Sequence, residues 1–187
     1  LNIANNKLSN DDFWATHGQT FVDGSDDIIT ELIEVPSYDG TLVPMSIMKN
    51  KNTKLDGNNV CILWGYGAYG ILGKENYFNE FNISNNLMVQ RGVVLVHAYV
   101  RGGGEKGEAW HQAGMKETKP NSWKDYIACA EYLIKNKYTQ SSKLSCFGGS
   151  AGGTLIGRAI TERPDLFAAA TIQSGTVNLI RSKAWPN

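Results

Sequence analysis

Two kinds of hydrophobic pattern follow one another along this chain. In "IITELIEV" (28–35) apolar and polar residues alternate, as in a strand with one face covered. "SYDG" (37–40) reads as a turn, and "TLVPMSIMK" (41–49) alternates again, so the pair predicts a β-hairpin. Pro44 within the second strand predicts an edge position or a bulge, because proline has no N–H for a ladder. Beyond a polar loop at 51–59 the pattern changes. "VCILW" (60–64), "VVLVHAYV" (93–100), "KLSCFG" (143–148) and "FAAATIQSG" (167–175) are short, nearly continuous apolar runs, expected of strands buried on both faces. Helical periodicity lies between them. One helix is expected over about 77–91, ending near Gly92, and a short one through "EAWHQAG". Ser122 is expected to open another, with Asp125 at capping-box spacing and Ile127, Ala130, Leu133 and Ile134 along its apolar face. "AGGTLIGRAITER" carries Leu155, Ile156, Ala159 and Ile160 on one face and is followed by Pro164. Buried strands alternating with helices imply an α/β fold with a mostly parallel sheet and right-handed crossovers, preceded by the hairpin.

Composition narrows the function classes. The chain has 187 residues, 42% of them hydrophobic and 19% charged, which suits one domain with a real core. Eighteen basic and eighteen acidic residues leave no net charge, which removes the electrostatic case for nucleic acid or a membrane surface. No apolar run has the length of a bilayer span. The opening "LNIANNKLSNDD" is polar and lacks the basic-then-apolar build of a signal peptide, and it suggests a start inside a longer protein. Cys61, Cys129 and Cys146 lie in apolar stretches without metal-ligand spacing and read as buried free thiols, Cys146 on the strand beneath the turn that follows it.

That turn carries the chemistry. In "CFGGSAGGTL" (146–155) Ser150 sits in G-x-S-x-G form, Gly148-Gly149-Ser150-Ala151-Gly152, after a buried strand and before an amphipathic helix. This is the context of a nucleophile elbow, where a sharp strand-to-helix turn lifts the hydroxyl clear and tolerates little side-chain bulk nearby. The N–H of Ala151, the next residue, is the natural oxyanion donor at the positive end of the helix. A phosphate-binding turn is the competing use of such glycines. "GGSAGG" lacks the Lys-Ser/Thr of a P-loop, and serine stands where a dinucleotide fingerprint has its second glycine. "RGGGEKG" (101–107) reads as a tight loop at a strand end. Tyr66, taken from its surroundings alone, reads as a packing aromatic among glycines.

"LWGYGAYG", "VRGGGEKGEAWHQAG" and "GGSAGG" followed by "ERPDLF" together resemble the catalytic domain of the prolyl oligopeptidase family of serine peptidases, over about residues 31–175. "GYGAYG" and "GGSAGG" are somewhat more similar to the oligopeptidase B branch. The resemblance implies an α/β-hydrolase fold cut short on its C-terminal side, and a serine-type oligopeptidase acting on short peptides through an acyl-enzyme. It implies that residues 1–30 leave a missing β-propeller and that 31–187 form the N-terminal part of the catalytic domain. It makes Ser150 the nucleophile, and it makes Tyr66 a side-chain donor that joins the Ala151 N–H in the oxyanion hole; Tyr69 is the weaker candidate. It implies no cofactor and no metal.

A serine nucleophile needs a base, and the base needs an orienting acid. In α/β-hydrolases the chain order is Ser, then Asp or Glu, then His. His17, His97 and His111 all precede Ser150. His97 lies in a buried strand and reads as a satisfied core histidine. Only Glu162 and Asp165 are acidic after Ser150, at the far end of the helix. The triad Asp and His are therefore expected beyond Asn187, and residues 1–187 alone are expected to be a nearly inactive fragment. The alternatives are an α/β-hydrolase esterase, which the absence of an HGGG-type loop disfavours, and an inactive remnant of a split or truncated gene.

Overall fold

The computed structural model describes residues 27–72 and 83–178. His17, the polar opening segment and the first part of the helix expected at 77–91 lie outside the described residues. Six strands form one sheet: β1 (Ile28–Pro36), β2 (Leu42–Asn50), β3 (Cys61–Gly65), β4 (Val94–Ala98), β5 (Leu144–Gly149) and β6 (Ala169–Gln173), in the spatial order β1-β2-β4-β3-β5-β6. β1 and β2 make the expected antiparallel hairpin, β2 pairs antiparallel with β4, and β4, β3, β5 and β6 run parallel. Helices α1 (Ile83–Gln90), α2 (Glu108–Gln112), α3 (Pro120–Lys135) and α4 (Gly152–Glu162) connect them.

The parallel strands bury their two faces unequally. Cys61 and Leu63 of β3 and Leu144 and Cys146 of β5 join α3 and α4 in the larger core, with Tyr126, Leu133, Leu155 and Ile156 fully buried. On the other face Ile62 and Trp64 are only half-buried, in a smaller cluster under Met48, Leu95 and Val89 of α1. β4 alone is buried at every residue, since neighbours flank it on both sides and layers cover both faces. β6 lies at the sheet edge and is mostly exposed, unlike the buried strand its composition predicts. An apolar run cannot tell a central strand from an edge strand by itself.

Two further expectations are corrected. Pro44 is on an inner strand, not an edge. It sits one residue past the β2–β4 ladder, which ends at Met45–Ala98, where its carbonyl accepts from the Tyr99 N–H at 2.9 Å and no donor is required of it. Ser122 and Asp125 form no capping box, because α3 starts at Pro120, a residue suited to a first turn. Both side chains serve a buried polar network instead. The Asp125 carboxylate accepts from Arg101 Nη2 at 2.6 Å, Arg101 Nε at 2.9 Å and the Ser37 hydroxyl at 2.6 Å. Ser122 Oγ donates to the Arg101 carbonyl at 2.5 Å. Arg101 reaches Asp39 in the hairpin turn as well, at 2.6 Å. This network ties hairpin, sheet and α3 together at the end of β4.

The three cysteines are free and buried, as expected. Burial pushes each thiol well above its ordinary range, Cys146 to about 12. No helix among the described residues is long and apolar enough to cross a membrane.

Candidate active site

Ser150 is the first of the two residues between β5 and α4, with a backbone φ of +50°. A non-glycine residue adopts this left-handed region only where its surroundings enforce it. Here they do: the Ser150 N–H donates to the Gln173 carbonyl, and the Ser150 carbonyl accepts from the N–H groups of Gly153 and Thr176, each at 2.9 Å. The glycines around it are required by close approach. A Cβ on Gly148 would lie 2.7 Å from Ile156 and 3.0 Å from the Gly65 carbonyl, and one on Gly153 would lie 2.6 Å from the Gly175 Cα. Side-chain bulk at either place would push α4 off the sheet. Ala151 caps α4 with helical backbone angles, and among the described residues no carbonyl takes its N–H. Its amide thus stands at the helix N-terminus beside the Ser150 hydroxyl.

Tyr66 belongs to the loop that leaves β3, the strand adjacent to β5 in the sheet. It and Ser150 line one cleft of about 300 Å³, completed by Trp64, Phe147, Gly149, Gln173 and Ser174. The Tyr66 ring stacks on Trp64, with centroids 6.3 Å apart and planes 6° from parallel. Tyr69, at φ +60° and 72% exposed, does not line that cleft.

The Tyr66 loop is clamped from behind by "RGGG". The Gly70 N–H donates to the Gly102 carbonyl and the Gly104 N–H to the Ile71 carbonyl, both at 3.0 Å. A Cβ on Gly102 would come within 2.2 Å of the Gly67 carbonyl oxygen. The consecutive glycines let one backbone lie directly on another. The Gly67 carbonyl also accepts from Lys119 Nζ, whose burial lowers its pKa to about 8.

The histidines do not enter the cleft. His97 is buried between the rings of Trp64 and Tyr99, with centroids 4.2 and 4.1 Å away. Burial lowers its pKa to about 3, so it is neutral at pH 7. Its Nδ1 finds no hydrogen-bond partner, so it is a core histidine, though not a satisfied one. His111 on α2 lies against Gly70, 3.6 Å from Glu108. Glu162 accepts from Trp123 at 2.9 Å, and Asp165 pairs with Arg163 at 2.7 Å, both at the remote end of α4. Among the described residues no cluster of His, Cys, Asp and Glu could hold a metal ion.

The structure therefore brings Tyr66 and Ser150 into one cleft at the C-terminal ends of β3 and β5, while Ala151 follows Ser150 in the chain and is not among the residues lining the cleft. Sequence reasoning missed Gln173 and Ser174. Their only sequence mark is their place at the end of a strand that runs parallel to β5, Gln173 as its last residue and Ser174 just after it, which puts them beside the elbow. Trp64 and Phe147 read as ordinary strand residues.

A mostly parallel mixed sheet flanked by helices, with a serine at positive φ between strand and helix, is the architecture of an α/β-hydrolase fold. The profile of the prolyl oligopeptidase family matches residues 79–187. A prolyl endopeptidase of Elizabethkingia miricola is 38% identical over 153 residues, covering 82% of this chain and 21% of its own. The solved structure of a post-proline cleaving enzyme from Rickettsia typhi superposes with a TM-score of 0.80 at 34% identity, over 85% of this chain and 23% of that one. Oligopeptidase B from Trypanosoma brucei, with antipain covalently bound, gives a TM-score of 0.71 at 40% identity, over 79% and 20%. The chain belongs to the prolyl oligopeptidase family. It spans about a fifth of the length of these relatives.

Proposed function

We propose that this chain is the nucleophile-bearing part of the catalytic domain of a serine-type oligopeptidase. Residues 31–187 supply the first part of that domain, and residues 1–30 the segment leaving a propeller. The observation that carries the reading is Ser150 at φ +50° in one cleft with Tyr66. The base and its acid come from elsewhere in the protein; among the described residues neither His97 nor His111 lines the cleft.

In this reading a short peptide enters the cleft with its scissile carbonyl over Ser150. The base takes the hydroxyl proton as Oγ attacks the carbonyl carbon. The carbonyl oxygen becomes an oxyanion, which accepts from the Ala151 N–H and the Tyr66 hydroxyl. Each such donor is worth about 2.7–4 kcal/mol to the transition state. The base returns its proton to the departing amine, leaving an acyl-serine ester. Water, deprotonated by the same base, cleaves the ester and restores Ser150. Residues 1–187 alone hydrolyse peptides only slightly, since a serine without its base is a weak nucleophile.

The test is an alkyl fluorophosphonate probe applied to the whole protein, with peptide hydrolysis followed in parallel. Labelling at Ser150, and loss of labelling and hydrolysis in Ser150→Ala, are expected. Hydrolysis that survives in Ser150→Ala removes Ser150 as the nucleophile.

A further inference from the structure

We propose that Lys119 is a positioning residue for Tyr66: its side chain, bridging the Gly67 carbonyl and the Ser122 hydroxyl, fixes the Gly67–Ala68 peptide in the loop that carries Tyr66 and so helps to aim the phenol at the carbonyl attacked by Ser150. The inference rests on the oxyanion role given to Tyr66 above.

Three observations support it. Lys119 Nζ donates to the Gly67 carbonyl and, at 3.3 Å, to Ser122 Oγ, and it forms no ion pair with a carboxylate among the described residues. A half-buried lysine loses hydration, and a surface lysine would gain by turning to water. Here the chain places it against a backbone carbonyl that Gly102 crowds from the other side, so the ammonium is the donor for a group with little access to water. Second, the anchor is rigid. Ser122 is fully buried and donates onward to Arg101, whose guanidinium is held by Asp125 and Asp39. Third, the held carbonyl belongs to the residue next to Tyr66, so a shift of the Gly67–Ala68 peptide is passed to Tyr66 through the Gly67 backbone alone.

The other titratable groups on the elements around Lys119 do not compete for it. Arg101 is committed to Asp125 and Asp39, His111 lies against Gly70, and Lys116 and Glu117 in the preceding turn are exposed. Lys106 pairs with Glu34, Lys124 lies over the Tyr38 ring, Glu105 packs against Gly103, Glu108 is exposed, and Tyr66 and the exposed Tyr69 belong to the loop itself. Burial lowers the Lys119 pKa to about 8. The ammonium is charged below that pH and neutral above it, so its hold is full below pH 8 and weakens above.

The experiment measures peptide hydrolysis by the whole protein for wild type, Tyr66→Phe, Lys119→Met, Lys119→Arg, Lys119→Gln and the Tyr66→Phe/Lys119→Met double variant, from pH 6 to 10, with thermal midpoints. Lys119→Met is expected to lower kcat about tenfold with KM nearly unchanged. Lys119→Arg should recover most of the loss, and a falling limb of kcat near pH 8 should vanish in Lys119→Met. In the Tyr66→Phe background the lysine change should cost no more than about a further twofold, because both act on one donor. Losses that multiply in the double variant, or that fall on KM or thermal stability alone, overturn the inference. If Lys119→Met does not fold, Lys119→Gln takes its place: its neutral amide sits on a side chain one bond shorter and does not restore the charge-assisted hydrogen bond, so the same criteria apply. If Tyr66→Phe leaves kcat unchanged, the oxyanion reading falls and this inference with it. If Tyr66→Phe lowers kcat and the lysine variants do not, only the inference falls.

Discussion

The backbone N–H of Ser150 donates to the carbonyl of Gln173 at 2.9 Å, so the serine turn hangs from the edge strand of the sheet. With the Thr176 N–H on its own carbonyl, Ser150 is gripped on both sides by the segment that ends β6. That grip is what keeps a side-chain-bearing residue at φ +50°.

Ser150→Gly should therefore stabilise the fold. Left-handed backbone costs an L-residue about 1–2 kcal/mol, and glycine avoids most of it. Ser150→Ala removes the same hydroxyl and keeps the strain. Urea denaturation of the two variants should show a higher midpoint for glycine, with both inactive. Equal midpoints would mean that Ser150 stores no strain.

The two sides of α4 should respond oppositely to an added methyl group. Gly148→Ala drives a Cβ into Ile156 and the Gly65 carbonyl and should cost about 1–3 kcal/mol of overpacking. Gly157→Ala, on the open side of α4 with nothing within 4 Å, should gain about 0.5–1 kcal/mol in helix propensity. Thermal melts of both variants check the sign of each.

Removing the carboxylate from Asp125 strands Arg101. The guanidinium is 6% exposed and would keep only Asp39. Asp125→Ala should cost about 3–5 kcal/mol, as expected of a buried charge left without its main partner. Asp39→Asn should cost less, since Asp39 is 31% exposed. Arg101 lowers the Asp39 pKa to about 2, so the stability from that contact is present above about pH 4 and fades as pH falls toward 2. Acid titration of stability for wild type and Asp39→Asn should converge at the low end.

His97 sets a second acid limit. Its pKa is about 3 in the fold and 6.5 as a free side chain. The unfolded chain therefore binds a proton that the folded one refuses, and stability is full above pH 6.5 and falls as pH drops toward 3. The slope should approach about 1.4 kcal/mol per pH unit between those values. In His97→Leu the denaturation midpoint should be flatter over pH 4–6 than in wild type. An unchanged slope would show that His97 titrates normally.

Much of the architecture could be read from the chain because burial on two faces and burial on one leave different patterns. The hairpin, four parallel strands and the elbow stood at their expected places. What escaped was what pattern does not encode. The exposure of β6 depends on its place at the sheet edge, which its apolar letters do not carry. Ser122 and Asp125 resemble a cap because capping and burying an ion pair draw on the same short polar side chains. The direction of Pro44 was settled by where β4 stops, a fact held some fifty residues away. At the site, Ser150 announced itself through local glycines, whereas Gln173 and Ser174 became visible only once β6 was laid beside β5. Lys119 left no local trace, because its partner lies on another loop.

The sealed cysteines make the molecule its own gauge of opening. Cys61 sits on a central strand, Cys146 under the serine turn and Cys129 on a covering helix. With their thiols held protonated and out of contact with solvent, alkylating reagents should pass them by in the folded state. The order in which the three become reactive as denaturant rises would then report which layer parts first, without any label having been introduced.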